Sequence, residues 1–218
     1  MSRFLFPRWA NKVVPLGVVF GLGPLGTALV AGFWYYGTQK HTEVGYRPVQ
    51  PVPFSHKLHA GDMGMDCRYC HNTVERSGHA AVPPTQTCMN CHSKVRTTSP
   101  RLAKVRESWE TDQPIEWTKV HNLPDYAYFD HSAHLSAGVG CESCHGRIDQ
   151  MPVVQQSQPL TMGWCLECHR EPEQHLRDPK DVTKMGMLEA SQKSGQPMPR
   201  PAESRELAPP QHCSGCHR

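Results

Sequence analysis

The cysteines carry the clearest chemistry in this sequence, because all ten of them fall into copies of one pattern, Cys-x-x-Cys-His. We call the five copies motif 1 (67–71), motif 2 (88–92), motif 3 (141–145), motif 4 (165–169) and motif 5 (213–217). Two thiols at this spacing can add to the two vinyl groups of a porphyrin, and the adjacent histidine can ligate the iron. The sequence therefore predicts five covalently attached haem c groups.

Each motif supplies two attachment cysteines and one proximal iron ligand. The predicted attachment residues are Cys67, Cys70, Cys88, Cys91, Cys141, Cys144, Cys165, Cys168, Cys213 and Cys216. The predicted proximal ligands are His71, His92, His145, His169 and His217. Other uses of paired cysteines fit less well. Disulfide frameworks do not place a histidine after every second cysteine, zinc knuckles come in pairs with variable ligand spacing, and redox dithiols accompany a βαβ pattern that this sequence lacks.

A second set of histidines precedes two of the motifs at matched positions. The segments Phe54–His59 and Phe129–His134 share the pattern Phe-x-His-x-x-His, and their first histidines precede the next cysteine by 11 and 10 residues. A low-spin haem that transfers electrons needs a second axial ligand, usually His or Met. Residues i and i+3 of a helical turn cannot both bind one iron, but they can serve two neighbouring haems.

These offsets give an assignment of the second, distal ligands. We assign His56 to the haem of motif 1 and His131 to the haem of motif 3, while His59 and His134 reach across to other haems. For the remaining haem His121 is the first choice, with Met151 and Met162 as alternatives. The other histidines, His41, His79, His175 and His212, are expected to be ordinary solvated residues.

The composition limits the elements that could hold these groups in place. Only 38% of the residues are hydrophobic, and 20 prolines and 17 glycines disfavour long helices and wide sheets. This composition excludes a Rossmann domain, a TIM barrel and a helical bundle. We expect a mostly irregular fold with short helices, in which the porphyrins replace much of the missing apolar core. One such short helix is predicted over residues 101–109, after Ser99 and Pro100.

The N-terminal region predicts a membrane anchor. Residues 13–39 contain no charged side chain, and the run is longer than the core of a cleaved signal peptide, which is the main alternative. Four aromatic residues at 33–36 would lie at the membrane interface. Arg3, Arg8 and Lys12 favour a cytoplasmic N-terminus, and covalent haem attachment places the remainder on the periplasmic side. The net charge of +3, without a basic patch, gives no sign of nucleic-acid binding.

The motifs and their spacing divide the chain into six predicted parts. These are a cytoplasmic N-terminus (1–12), a transmembrane anchor (13–39), a dihaem repeat (40–98), a connector (99–128), a second dihaem repeat (129–177) and a C-terminal segment (178–218). The repeats are offset by about 75 residues, which indicates an internal duplication. The proline-rich C-terminal segment is expected to be extended and to carry the fifth haem.

The Phe-x-His-x-x-His element before Cys-x-x-Cys-His resembles multihaem cytochromes of the c3/c7 class over both repeats. The anchor, the five motifs and the segments 117–134 and 162–169 together resemble the pentahaem subunit of alternative complex III, over nearly the whole chain. That resemblance implies a quinol:electron-acceptor oxidoreductase of a bacterial inner membrane. It also implies an iron–sulfur subunit related to molybdopterin oxidoreductases, polytopic quinol-oxidising subunits, and a monohaem cytochrome c or terminal oxidase as acceptor.

The sequence thus favours an electron-relay subunit that has no substrate site of its own. The main alternative is a stand-alone, membrane-anchored multihaem quinol dehydrogenase feeding a periplasmic reductase, although the Cys-x-x-Cys-His-x-Met site typical of that class is missing. A catalytic pentahaem enzyme of the nitrite reductase kind would leave one iron open, often with a variant attachment motif. All five motifs here end in histidine, and the 218 residues are few for a substrate cavity.

Overall fold

The N-terminal unit of the computed structural model is one long apolar helix followed by a short one. The structure describes residue 7, residues 9–199 and residues 207–217, and it divides into two compact units, 1–43 and 44–218. The long helix, Ala10–Tyr36, has the length and composition to cross a membrane. It comprises α1 (Ala10–Gly17), a π-helical turn (Val18–Leu22) and α2 (Gly23–Tyr36), and α3 (Gln39–Thr42) follows.

A proline explains the π-helical turn inside this helix. Pro24 has no amide hydrogen, and its ring would clash with the carbonyl of Phe20, four residues earlier. The preceding turn is wider, because the amide of Gly23 donates to the carbonyl of Val18, five residues back. The large apolar side chains of the helix are exposed, Phe33 by 82% and Phe20 by 74%. A bilayer would cover such a surface.

The second unit is built from short helices joined by irregular segments, as the sequence predicts. Its α-helices are α4 (Cys67–Cys70), α5 (Thr85–His92), α6 (Ala103–Thr111), α7 (His131–Ala137), α8 (Glu142–His145), α9 (Met162–Arg170), α10 (Met187–Ser194) and α11 (Cys213–Cys216). The described residues contain no strand, only two isolated β-bridges, Ala127 with His217 and Val139 with Leu176. The helix predicted over 101–109 is confirmed as a 3₁₀ turn, Pro100–Leu102, followed by α6.

The two repeats differ by one residue, and the backbone absorbs the difference. The histidine element of the second repeat lies on α7, whereas the first repeat forms a π-helical turn over Lys57–Asp62. A π-helical turn holds one more residue than an α-helical turn. The first repeat is longer by one residue between its first histidine and first cysteine, so the wider turn keeps both copies in the same arrangement.

The C-terminal segment is less extended than the sequence suggested. It contains a 3₁₀ turn, Pro179–Asp181, and helix α10. Residues 187–194 hold no proline, and Gly186 and Gly195 flank them with φ of +81° and +67°, so both ends of the helix have residues that tolerate the left-handed conformation. The proline-rich part that follows runs partly outside the described residues.

The apolar core of this unit is small. Eight hydrophobic residues are buried among those described: Val52, Val74, Val105, Val120, Leu135, Leu176, Val182 and Met198. The main cluster joins Val74 of the first repeat, Leu135 of the second repeat and Val182 of the C-terminal segment. The repeats are therefore packed against each other, with the C-terminal segment completing the contact.

Candidate functional site

Each motif forms a helical turn that carries its two thiols. Residues i and i+3 of a turn lie on the same face, which is the arrangement that two attachment bonds to one porphyrin require. The turn of motif 1 is capped by Asp66, whose carboxylate accepts from the amide of Arg68 at 2.8 Å. The helix of motif 4 is capped by Thr161, whose hydroxyl accepts from the amide of Trp164 at 3.2 Å.

Four of the five motif histidines have Nδ1 within hydrogen-bond distance of a backbone carbonyl. The acceptors are Ala81 for His71 (2.8 Å), Val95 for His92 (3.0 Å), Pro210 for His169 (2.7 Å) and Tyr126 for His217 (3.1 Å). An Nδ1–H that donates to a carbonyl leaves Nε2 with the free lone pair. The backbone thus fixes the tautomer that binds a metal ion.

The second histidine of the Phe-x-His-x-x-His element has the same surroundings in both repeats. His59 and His134 donate through Nδ1 to the carbonyls of Ser55 (2.9 Å) and Asp130 (2.7 Å), each four residues earlier. Phe54 stacks on His59 with ring centroids 4.4 Å apart, and Phe129 stacks on His134 at the same 4.4 Å. The duplication seen in the sequence is therefore also present in the packing of the rings.

Three of these histidines face a motif histidine across a gap of uniform width. The ring centroids are 6.3 Å apart for His59 and His92, 6.5 Å for His131 and His145, and 6.1 Å for His134 and His169. A metal–imidazole bond is about 2 Å long, so two imidazoles on opposite sides of one metal ion have centroids roughly 6 Å apart. Each gap fits one iron atom, and the donor set suits the iron of haem c.

His56 and His71 are also neighbours in the structure. Burial, followed by the nearby charge of His71, lowers the pKa of His56 to about 4. Burial lowers the pKa of His145 to about 3. Both side chains are thus neutral at physiological pH, which is the form of imidazole that binds a metal ion. The Nδ1 atom of each ring is buried without a hydrogen-bond partner in the protein.

His121, the first choice for the remaining distal ligand, lies beside a motif histidine. Its ring contacts His145 of motif 3, with centroids 4.5 Å apart and planes at 80°. Its Nε2 is buried without a partner, and burial lowers its pKa. The sequence carries no signal for this contact, because residues 121 and 145 are brought together only by the packing of the connector on motif 3.

The two candidate methionines and the four remaining histidines differ in how far they are exposed to solvent. Met162 is 66% exposed at the start of α9, and Met151 is half-buried, with its carbonyl accepting from the amide of Lys57 at 3.0 Å. His41, His79 and His212 are exposed, as expected. His175 is not, since its Nδ1 is buried without a partner and burial lowers its pKa.

A buried ion pair that the sequence did not predict fixes motif 3. Arg177 is 1% exposed and donates through Nη2 to the carboxylate of Glu142, inside the motif, at 2.8 Å. The same carboxylate accepts from the amides of Gly186 and Leu188, at 2.5 Å and 2.6 Å. A β-carbon at Gly140 would collide with the Arg177 guanidinium, so only glycine leaves room for it. No local sequence pattern marks such a long-range pair.

Comparison with known proteins gives two matches. The family model described as cytochrome c7 and related cytochrome c matches residues 52–112 and 127–218. The multihaem cytochrome c subunit of menaquinone reductase from Nitratidesulfovibrio vulgaris is 35% identical over 173 residues, which cover 70% of this chain and 80% of that protein. The family match includes the residues that form the three ring pairs.

Proposed function

Since this chain belongs to the family of cytochrome c7 and related cytochromes c, we propose that it is a membrane-anchored pentahaem subunit that relays electrons between a quinone pool and a periplasmic redox partner. The observation that carries this proposal is the set of three histidine pairs with centroids 6.1–6.5 Å apart. Paired imidazoles leave no open position for a substrate, so the sites suit electron transfer and not substrate chemistry.

Different residues of the chain have different proposed roles in such a relay. Haem c, when bound, supplies one-electron chemistry at its iron. The motif cysteines would hold each porphyrin by two thioether bonds, and the motif histidines would ligate its iron. His56, His59, His131 and His134 are proposed as distal ligands. Backbone hydrogen bonds orient the rings of His59, His131 and His134, and Phe54 and Phe129 pack against the rings of both repeats. The proposed distal ligand of the motif 5 haem is Met151 or Met162, because the ring of His121 contacts His145 of motif 3.

The proposed setting is a quinol:electron-acceptor oxidoreductase complex like alternative complex III. Haem-bearing residues 44–218 would be periplasmic, and the helix Ala10–Tyr36 would anchor them in the inner membrane. The partners would be an iron–sulfur subunit related to molybdopterin oxidoreductases, polytopic quinol-oxidising subunits, and a monohaem cytochrome c or oxidase as acceptor. The relative from N. vulgaris is named for the reduction of menaquinone, and the same relay can run in either direction.

Mild detergent purification of the full chain from its native membrane tests this proposal. We expect an iron–sulfur protein and polytopic membrane proteins to co-purify, and the haems to be reduced by quinol only in their presence. The matched control is a chain in which a cleavable signal replaces residues 1–38, which should yield a haem protein without these partners. A chain that purifies alone and oxidises quinol by itself would contradict the proposal and favour a stand-alone quinol dehydrogenase.

A further inference from the structure

Motifs 1 and 2 are in direct contact. The side-chain amide of Asn90, inside motif 2, donates to the hydroxyl of Tyr69, inside motif 1, at 3.2 Å. His59, which precedes motif 1 in the first repeat, also faces His92 of motif 2, with ring centroids 6.3 Å apart. The haems of these two motifs would therefore be neighbours.

Motif 1 also contacts motif 3, although motif 2 lies between them in the sequence. The C-terminal segment joins them through two adjacent residues. Thr183 donates to the carboxylate of Asp66, next to motif 1, at 2.9 Å, and the amide of Cys141, in motif 3, donates to the carbonyl of Val182 at 2.9 Å. Motifs 2 and 3 share no such contact within the described residues.

Motifs 3, 4 and 5 continue the series. His131 and His134 lie three residues apart on α7 and face His145 of motif 3 and His169 of motif 4, with ring centroids 6.5 Å and 6.1 Å apart. The residues just before motif 5 hold motif 4 directly. Gln211 donates to the carbonyl of His169 at 3.1 Å, and the Pro210 carbonyl accepts from His169 Nδ1 at 2.7 Å.

We infer that the haems are arranged in the order 2–1–3–4–5, so that electrons enter and leave through the haems of motifs 2 and 5. This order rests on the proposed relay function and extends it by naming the path and its ends. Exposure of the cysteines supports the assignment of the ends independently. Cys91 of motif 2 and Cys213 of motif 5 are the two exposed cysteines of the ten, and the other eight are half-buried.

The order can be tested by changing one haem and measuring which others respond. In His59→Met the motif 2 iron exchanges a histidine for a methionine ligand, which raises its potential while it stays six-coordinate. Over part of a redox titration, the motif 2 haem then carries a different charge from that in the wild type. This difference shifts the reduction potentials of adjacent haems the most, because the electrostatic interaction weakens with distance. We expect one other haem, that of motif 1, to shift, and the motif 3 haem to titrate as in the wild type.

His56→Met is the matched control in the middle of the path, and it should shift the haems of both motif 2 and motif 3. The readout is a titration of the purified full chain, with each haem resolved by paramagnetic NMR or EPR. A shift of the motif 3 haem in His59→Met would overturn the order, because it would make motifs 2 and 3 neighbours. If that variant does not fold, Cys88→Ala/Cys91→Ala, which removes the haem, gives the same comparison.

The ends of the path are tested in the intact complex by rapid mixing with quinol. We expect opposite results from Cys88→Ala/Cys91→Ala and Cys213→Ala/Cys216→Ala. One variant should keep its four haems reducible by quinol but lose transfer to the acceptor, and the other should not be reduced. Continued passage of electrons from quinol to acceptor in either variant would show that its missing haem is not an end. The titrations need no partner, so failure of the complex proposal would leave their outcome interpretable.

Discussion

The rings of His131 and His145 lie nearly parallel, with 8° between their planes and 6.5 Å between their centroids. His131 opens α7, and His145 ends the neighbouring helix α8. His131 Nδ1 bonds to the carbonyl of Gly78 at 2.8 Å, so a residue of the first repeat orients a ring of the second. In this pair the fold holds two imidazole rings at the separation that one iron atom between them requires.

Replacing the distal histidine of this pair should change one haem. In His131→Ala the motif 3 iron would lose its sixth ligand, and we expect one of the five haems to change from low-spin to high-spin. EPR and the visible spectrum of the ferric protein measure this. His79→Ala is the matched control, since His79 is exposed and outside every ring pair. An unchanged spectrum in His131→Ala would contradict the distal assignment.

His121 should influence the haem of motif 3 without ligating an iron. Its ring lies 4.5 Å from that of His145, so in His121→Phe we expect the same number of low-spin haems and a shifted potential of the motif 3 haem alone. EPR gives the count, and a site-resolved redox titration gives the potential. A new high-spin haem at motif 5 would instead restore His121 as the distal ligand of that haem, in which case Met151→Ala and Met162→Ala should leave the spectrum unchanged.

Breaking the buried pair of Arg177 and Glu142 should destabilise the haem-bearing unit. Removal of one partner of a buried ion pair leaves an uncompensated charge and costs about 3–5 kcal/mol. We therefore expect Glu142→Ala to lower the free energy of unfolding by that amount, measured by denaturant titration of the holoprotein. Asp62→Asn removes the exposed pair with Lys57 and should have little effect. Equal, small effects of both substitutions would show that the buried pair does not stabilise motif 3.

Asp66 should give the protein part of its resistance to acid. Hydrogen bonds from Arg68 lower the pKa of Asp66 to about 2, below its ordinary value of 3.8. A lowered folded-state pKa contributes stability that is present above about pH 4 and is lost as the pH falls to about 2. In Asp66→Asn the loss of stability relative to the wild type should be larger at pH 5 than at pH 2, as unfolding curves at the two pH values would show. A difference independent of pH would contradict this role.

The fold class could be predicted from the sequence because the features that indicate it are local. The motif spacing, the His-x-x-His element and the short helix after Pro100 depend on residues a few positions apart, and the fold class followed from them. The contacts of His121 and Arg177 could not be predicted, because each joins residues more than twenty positions apart without a local pattern. The order of the motifs depends on the same long-range packing. The helix Met187–Ser194 was missed because the surrounding prolines dominated the composition of its segment.

The most direct test of the account is a count of haems and of their ligation in one preparation. Intact mass spectrometry of the purified full chain should show five haem groups bound to one polypeptide. EPR of the ferric form should show low-spin signals for the haems of motifs 1 to 4. Fewer than five attached haems, or a high-spin signal from any of those four motifs, would contradict the central claim that this chain holds a pentahaem relay with paired histidine ligands.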